Sequence, residues 1–134
     1  FLNLEGRVAE GPGENIFIFK NGVLKTNDLG ESILEGITRT TILELAREEG
    51  IRTRVGPIRK DELLGADEVF FTGTAVEVVA ITAVVDGSVP SDREKAYKIG
   101  KGRPGPLTVR LKNLYLDVVS GRSKTHGSWL THIR

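Results

Sequence analysis

Asn15-Ile16-Phe17-Ile18-Phe19-Lys20, Asn21-Gly22 and Val23-Leu24-Lys25-Thr26 read as strand, turn and strand. Asn-Gly between two runs of strand formers is the strongest short-range signal for a β-hairpin. Just upstream, Arg7-Val8-Ala9-Glu10 reads as a strand end running into the turn Gly11-Pro12-Gly13. Glycine takes positive φ without steric cost, so this turn can bend sharply beside a ligand or another strand. Downstream, Asn27 to Gly36 reads as irregular. The spacing then predicts a helix over about Thr38–Glu49, with Ile42, Leu45 and Ala46 on one apolar stripe and Gly50 just past its end. Ile51 to Val55 reads as a strand, Lys60 to Leu64 as a short helix and Asp67 to Thr72 as a strand broken by Gly73-Thr74-Ala75. Val76 to Val85 is apolar and β-branched, which predicts a buried strand, and Asp86-Gly87 turns the chain back. A loop with Gly100, Gly102, Pro104, Gly105 and Pro106 precedes a helix over about Leu107–Val119. Leu107, Leu111, Leu114 and Val118 share one face of it, and Gly121 caps it. The tail Ser123 to Arg134 carries Trp129, Leu130 and Ile133 and is expected to pack. Hairpin and apolar stripes together predict an α/β (α+β) fold, a curved, mostly antiparallel sheet with flanking helices.

Composition narrows the function classes. The 134 residues are one domain's worth of chain, with 39% apolar and 28% charged residues, as in ordinary globular proteins. Nineteen Lys and Arg against 18 Asp and Glu leave a formal charge of +1, which argues against an electrostatically driven nucleic-acid binder. No apolar run approaches the roughly 20 residues a membrane helix needs. The absence of cysteine excludes disulfide scaffolds, thiolate metal sites and cysteine nucleophiles. The chain has no methionine and opens on Phe1-Leu2-Asn3, which reads as the middle of a strand. It is therefore expected to be a piece whose natural beginning lies upstream. Nothing in it reads as a secretion signal, and a cytoplasmic location is the expectation.

Several residue groups could carry chemistry. His126 and His132 stand six apart in the tail with no acidic companion, so solvated histidines are the better reading than metal ligands. Lys101 and Arg103 lie beside glycines and could meet an anion, though a solvated loop is the simpler reading. Three other places stand out. Glu10-Gly11-Pro12-Gly13-Glu14-Asn15 puts a carboxylate at a strand end beside flexible backbone, either as a plain turn or as the wall of a site. Gly36-Ile37-Thr38-Arg39 enters a helix; Thr38 is a natural N-cap, while a free helix N-terminus also suits an anion. Thr72-Gly73-Thr74-Ala75 is a small polar break between apolar strands, a turn or bulge that can also expose N–H groups and a hydroxyl.

The ordered set resembles the cofactor half of the fold-type IV pyridoxal-phosphate enzymes, the class IV aminotransferases, and among them the branched-chain amino-acid aminotransferases. The matching text is Val8-Ala9-Glu10-Gly11-Pro12-Gly13-Glu14-Asn15-Ile16-Phe17, Ile33-Leu34-Glu35-Gly36-Ile37-Thr38-Arg39, and Ala66 through Glu77 around Thr72-Gly73-Thr74-Ala75. Gly102-Arg103-Pro104-Gly105-Pro106 before a helix, and a Trp-bearing tail, are similar too. The resemblance implies that residues 1–134 are one domain, the larger C-terminal domain of that fold lacking its beginning. It implies pyridoxal 5'-phosphate as cofactor, with Glu10 facing the pyridine nitrogen and keeping it protonated, which improves the ring as an electron sink. Leu34 would pack on the ring. Ile37 and Thr38, entered through Gly36, would offer N–H groups to the phosphate, with the Thr38 hydroxyl adding a bond. Thr74, after Gly73, would give another hydroxyl, and the amides of Thr74 and Ala75 would hold the substrate carboxylate. Glu14 and Asn15 would stabilise the turn. Pro12 and Val76 vary from the family pattern without removing a chemical group.

The family's Schiff-base lysine lies upstream of the strand leading into the Glu10 turn, and only nine residues precede Glu10 here. Lys20 and Lys25 lie downstream and cannot take its place. The family's first domain is likewise upstream. The resemblance therefore implies a parent enzyme that moves an amino group from leucine, isoleucine or valine to 2-oxoglutarate, and a chain inactive by itself. Amino acid and 2-oxo acid would be its small-molecule partners, a homodimer or an assembly of dimers its state, with no nucleic acid or membrane involved. D-amino-acid aminotransferase and aminodeoxychorismate lyase share the same cofactor residues and stay open. So does a catalytically inactive fragment or interaction module stabilised by dimerising.

Overall fold

The computed structural model describes residues 1–87, 90 and 95–131. Strands β1 (Asn15–Lys20) and β2 (Val23–Thr26) form the hairpin expected from Asn21-Gly22, both of which take positive φ. Strand β4 (Glu68–Gly73) lies antiparallel on the other side of β1 and pairs antiparallel with β5 (Glu77–Ile81). Strand β3 (Arg52–Val55) adds to β2 in parallel, giving the order β3-β2-β1-β4-β5. The sheet is thus mostly antiparallel, as the sequence predicts, with one parallel edge pair.

Alternation along the central strands builds two cores. Phe17, Leu24, Phe70 and Val78 point to one face, where helices α1 (Ile37–Glu48) and α3 (Pro106–Val119) cover them with Ile42, Leu45, Leu111 and Val118. Phe17 and Phe70 are register partners with stacked rings 5.0 Å apart. Each is fully buried, worth roughly 1.5–3 kcal/mol against exposure. Ile16, Ile18 and Val69 face the other way, onto Val8, Ile58, Ile99 and, from the short helix α2 (Lys60–Leu64), Leu63. A register slip of one residue would exchange the two faces, so both cores fix the register. The stripe expected on α1 is buried; on α3 Leu111 and Val118 are buried as expected, Leu107 and Leu114 only half-buried, and Thr108 and Tyr115 complete the buried face, while Gly50 and Gly121 take the left-handed conformation after the helix ends.

Some expectations are corrected. Val76 to Val85 is not one buried strand. The chain breaks at Thr82, and β6 (Ala83–Val85) pairs with β7 (Ala96–Lys98) in a separate two-stranded sheet. Only Val78 of the run is buried, whereas Val79 and Val85 are 43% and 53% exposed. An apolar run signals burial on both faces only in a central strand, and β5 is an edge. The segment around Val8 makes isolated bridges to Leu2 and Ile58 rather than a strand end. Gly11 and Gly13 do not use positive φ. His126 is not a solvated tail residue: its Nε2 lies 2.8 Å from Glu48 Oε2, its Nδ1 2.7 Å from Ser123 Oγ, and its ring packs on Trp129. The Glu48 contact ties the tail to the end of α1, but no described tail residue is buried and Trp129 stays 42% exposed, so the tail packs less than expected; His132 and Ile133 fall outside the described residues.

One long-range contact sets the start of α3. Buried Glu68, on β4, accepts hydrogen bonds from the Leu107 N–H (3.1 Å), the Thr108 N–H (2.8 Å) and the Thr108 hydroxyl (2.7 Å). A carboxylate there satisfies two orphan amides and favours the positive end of the helix. Gly105 precedes the helix because a Cβ at that position would run into the Glu68 side chain.

Candidate functional site

Three chain segments meet where α1 begins. The first is Glu10 and the turn after it. Glu10 Oε2 accepts from Asn15 Nδ2 (2.9 Å) and from the Leu34 N–H (3.1 Å). Asn15, the buried first residue of β1, also donates to the Leu34 carbonyl (2.8 Å), so one amide ties the turn to the second segment. The turn is closed by the Gly11 N–H on the Glu14 carbonyl and the Gly13 N–H on Glu14 Oε2. Glu14 and Asn15 therefore stabilise the turn, as expected from sequence.

The second segment, Leu34 to Thr38, turns into α1. Gly36 is the N-cap, with no side-chain cap, and its own backbone is extended. Glycine is required because a Cβ at Gly36 would fall on Asn15 Oδ1. Thr38 is therefore not the N-cap; it is the second residue of the helix, buried, with its hydroxyl 3.4 Å from that of Tyr115 on α3. The first turn of α1 leaves N–H groups without intrahelical acceptors and carries the positive end of the helix dipole. Leu34 and Ile37 are 77% and 82% exposed, an apolar rim around this turn.

The third segment is the end of β4 and the turn Thr74–Val76 that joins it to β5. Glu77 closes that turn with φ of +58°. Gly73 lets it approach the first segment, since a Cβ there would lie 2.8 Å from the Gly13 carbonyl oxygen. Thr72 is fully buried, and its hydroxyl has no hydrogen-bond partner among the described residues.

Glu10, Leu34, Gly36, Ile37, Thr38, Gly73 and Thr74 all line one cavity of about 130 Å³. Asn15 and Thr72 share its wall. Ala75 is the one residue singled out from sequence for this site that does not line it; it lies in the adjoining turn. The cavity offers a fixed carboxylate, first-turn helix amides with no side-chain cap among the described residues and hydroxyls within an apolar rim, which suits a ligand carrying both an anionic group and a basic nitrogen. A broader cleft of about 1150 Å³ lies beside α3 and includes exposed Lys101 and Arg103, but Glu68 already fills the helix N-terminus there.

Two residues to which the sequence assigned no role are Asn27 and Arg39: Asn27 bonds to Ala9, the neighbour of Glu10, and to Arg39, the neighbour of Thr38. Asn27 is buried and bonded to three segments, and buried Arg39 donates to its carbonyl. Burial pushes the Arg39 guanidinium below its ordinary pKa, against the pull of Glu35 and Asp28. Helical spacing from Ile42 and Ala46 already placed Arg39 on the buried stripe, so a signal for it existed.

The sequence profile of the family described as "Amino-transferase class IV" matches residues 1–84, which hold Glu10, Leu34, Thr38 and Thr74. The chain belongs to the class IV aminotransferases. Among its relatives is a branched-chain-amino-acid aminotransferase of Pseudomonas aeruginosa, 48% identical over 133 residues, 99% of this chain and 40% of that protein. Among solved structures, the T.th. branched-chain amino acid aminotransferase complexed with N-(5'-phosphopyridoxyl)-L-glutamate superposes with a TM-score of 0.88 at 39% identity. The match takes in 100% of this chain and 41% of the other. The same enzyme with pyridoxamine 5'-phosphate matches equally well. This class IV aminotransferase chain spans about 40% of the length of the curated relatives it matches.

Proposed function

We propose that residues 1–134 are the cofactor-holding C-terminal domain of a pyridoxal 5'-phosphate-dependent branched-chain amino-acid aminotransferase. Its reaction would move the amino group of leucine, isoleucine or valine to 2-oxoglutarate. One observation carries the reading: Glu10, the Leu34–Thr38 entry to α1 and Thr74 come from three separated segments and line one cavity. The printed names of the relatives and the phosphopyridoxyl ligands of the matching structures support it.

The residues fit the cofactor by their chemistry. The amides of Ile37 and Thr38, in a first turn without a side-chain cap, suit a phosphate, and the hydroxyls of Thr38 and Thr74 would add donors. The Thr72 hydroxyl is a buried orphan that a bound group or water would relieve of a cost of about 1–3 kcal/mol. Glu10 would hold the proton on the pyridine nitrogen. Its two donors among the described residues both fall on Oε2, which orients the carboxylate before anything binds. Leu34 would cover a ring face and keep water from it. The amides of Thr74 and Ala75 would hold the substrate carboxylate and orient the α-carbon. Bound there, pyridoxal phosphate supplies the electron sink for negative charge developing at that carbon. The covalent lysine and the rest of the substrate pocket would come from an upstream segment, consistent with the greater length of the relatives. A cytoplasmic homodimer, or an assembly of such dimers, completes the proposal.

The test compares the complete protein with this chain alone. The complete protein should bind pyridoxal phosphate and form glutamate from leucine and 2-oxoglutarate. Residues 1–134 alone should bind the cofactor weakly and form none. A complete protein that neither binds pyridoxal phosphate nor transaminates any branched-chain amino acid would sink the reading.

A further inference from the structure

Asn27 follows β2 and is 1% exposed. Its Nδ2 donates to the carbonyls of Val8 (2.7 Å) and Ala9 (2.6 Å), and its Oδ1 accepts from the Ile58 N–H (3.1 Å). Its own carbonyl accepts from Arg39 Nη2 at 2.6 Å. Ala9 is the residue before Glu10, and Arg39 is the residue after Thr38. One buried asparagine thus bonds to the neighbours of two cavity residues. It does so where the sheet does not reach, since among the described residues Val8 has only isolated bridges, to Leu2 and Ile58.

Stability alone does not account for this arrangement. Arg39 is 5% exposed, its Nε has no partner among the described residues, and burial depresses its pKa. An apolar side chain on the same stripe of α1 would pack against the core without desolvating a charge. What an apolar residue could not do is reach the Asn27 carbonyl with a donor.

We propose that Asn27 and Arg39 are a positioning pair that locks the Glu10 segment to the first turn of α1, so that both walls of the cavity move as one body. The cofactor reading above supplies the reason why their separation must be constant. Neither residue lines the cavity, so both would act through the groups they hold.

The experiment uses the complete protein, at temperatures well below each variant's melting midpoint. Arg39→Met keeps the side chain's length and removes its donors; Arg39→Lys keeps one donor; Asn27→Asp keeps the shape and removes the Nδ2 donors. The first readout needs no cofactor: hydrogen exchange at the Leu34 amide, which donates to the Glu10 carboxylate. The second is the dissociation constant for pyridoxal phosphate, by fluorescence titration. Arg39→Met and Asn27→Asp should each speed exchange at Leu34 and weaken pyridoxal phosphate by tenfold or more, while Arg39→Lys stays within about threefold of wild type. A lowered melting midpoint with Leu34 exchange and cofactor affinity unchanged would make both residues merely structural and overturn the proposal. If Arg39→Met fails to fold, Asn27→Asp decides by the same two readouts. If wild type does not bind pyridoxal phosphate, the cofactor reading fails, and Leu34 exchange still decides the positioning pair.

Discussion

Gly36→Ala isolates the role of Asn15. A glycine-to-alanine change on compatible backbone stabilises by about 0.4–1 kcal/mol through the unfolded state, and Gly36, at φ −73° and ψ 133°, is compatible. Alanine is a poorer N-cap than glycine by a similar amount, so these two effects roughly cancel. What remains is steric. The new Cβ would clash with Asn15 Oδ1, and the amide must rotate away. It then gives up its bond to the Glu10 carboxylate, on the scale of about 1.5–3 kcal/mol, and its bond to the Leu34 carbonyl, about 0.5–1.5 kcal/mol. Allowing for partial relaxation, a loss of about 2 kcal/mol falls on the cavity, or about a 30-fold weaker dissociation constant for pyridoxal phosphate. The assay is fluorescence titration of the cofactor into the complete apo protein. Gly56→Ala is the control, because a Cβ there meets nothing within 4 Å. Wild-type affinity in Gly36→Ala, or an equal loss in both variants, would refute the reasoning.

On the proposed function, Glu10→Ala should cost the complete protein far more in leucine turnover than in cofactor retention, because its charge would matter most while negative charge develops on the ring; intact turnover in steady-state assays would count against that role. Thr38→Ala should do the reverse, weakening pyridoxal phosphate by about 1–2 kcal/mol with little change in turnover of the saturated enzyme. Glu68→Gln should lower the unfolding free energy by about 2 kcal/mol in urea titrations without changing cofactor affinity, since Glu68 caps α3 and lies outside the cavity. The Arg7 guanidinium, bonded to Glu31 at 2.6 and 3.0 Å, holds that carboxyl below its ordinary value of 4.5. The unfolded chain then binds the Glu31 proton more tightly than the folded one, so this stabilisation is complete above about pH 4.5 and fades as pH falls through the lower folded value. Thermal melts from pH 6 downward should show a smaller acid-induced loss in Arg7→Met, and identical pH profiles would contradict the assignment.

Local pattern determined much of this protein. The Asn21-Gly22 hairpin, the apolar stripes of α1 and α3 and the glycines after both helices follow from preferences between residues a few positions apart, and those survive folding unchanged. The ordered motifs around Glu10, Leu34–Thr38 and Thr74 also marked the residues that line the cavity, through the family they resemble. Tertiary structure decided the rest. Val76–Val85 carries the composition of a buried strand, yet which part is buried depends on where the sheet ends, and no pattern within the run records that. Thr38 has the chemistry of an N-cap, but Asn15 claims the space at Gly36 and the helix starts there instead. Asn27, Arg39 and Glu68 act through hydrogen bonds to chain segments 12 to 40 residues away. Such bonds have no period and no fixed spacing. They exist only once hydrophobic burial has brought the segments together, and they then set where the functional groups stand.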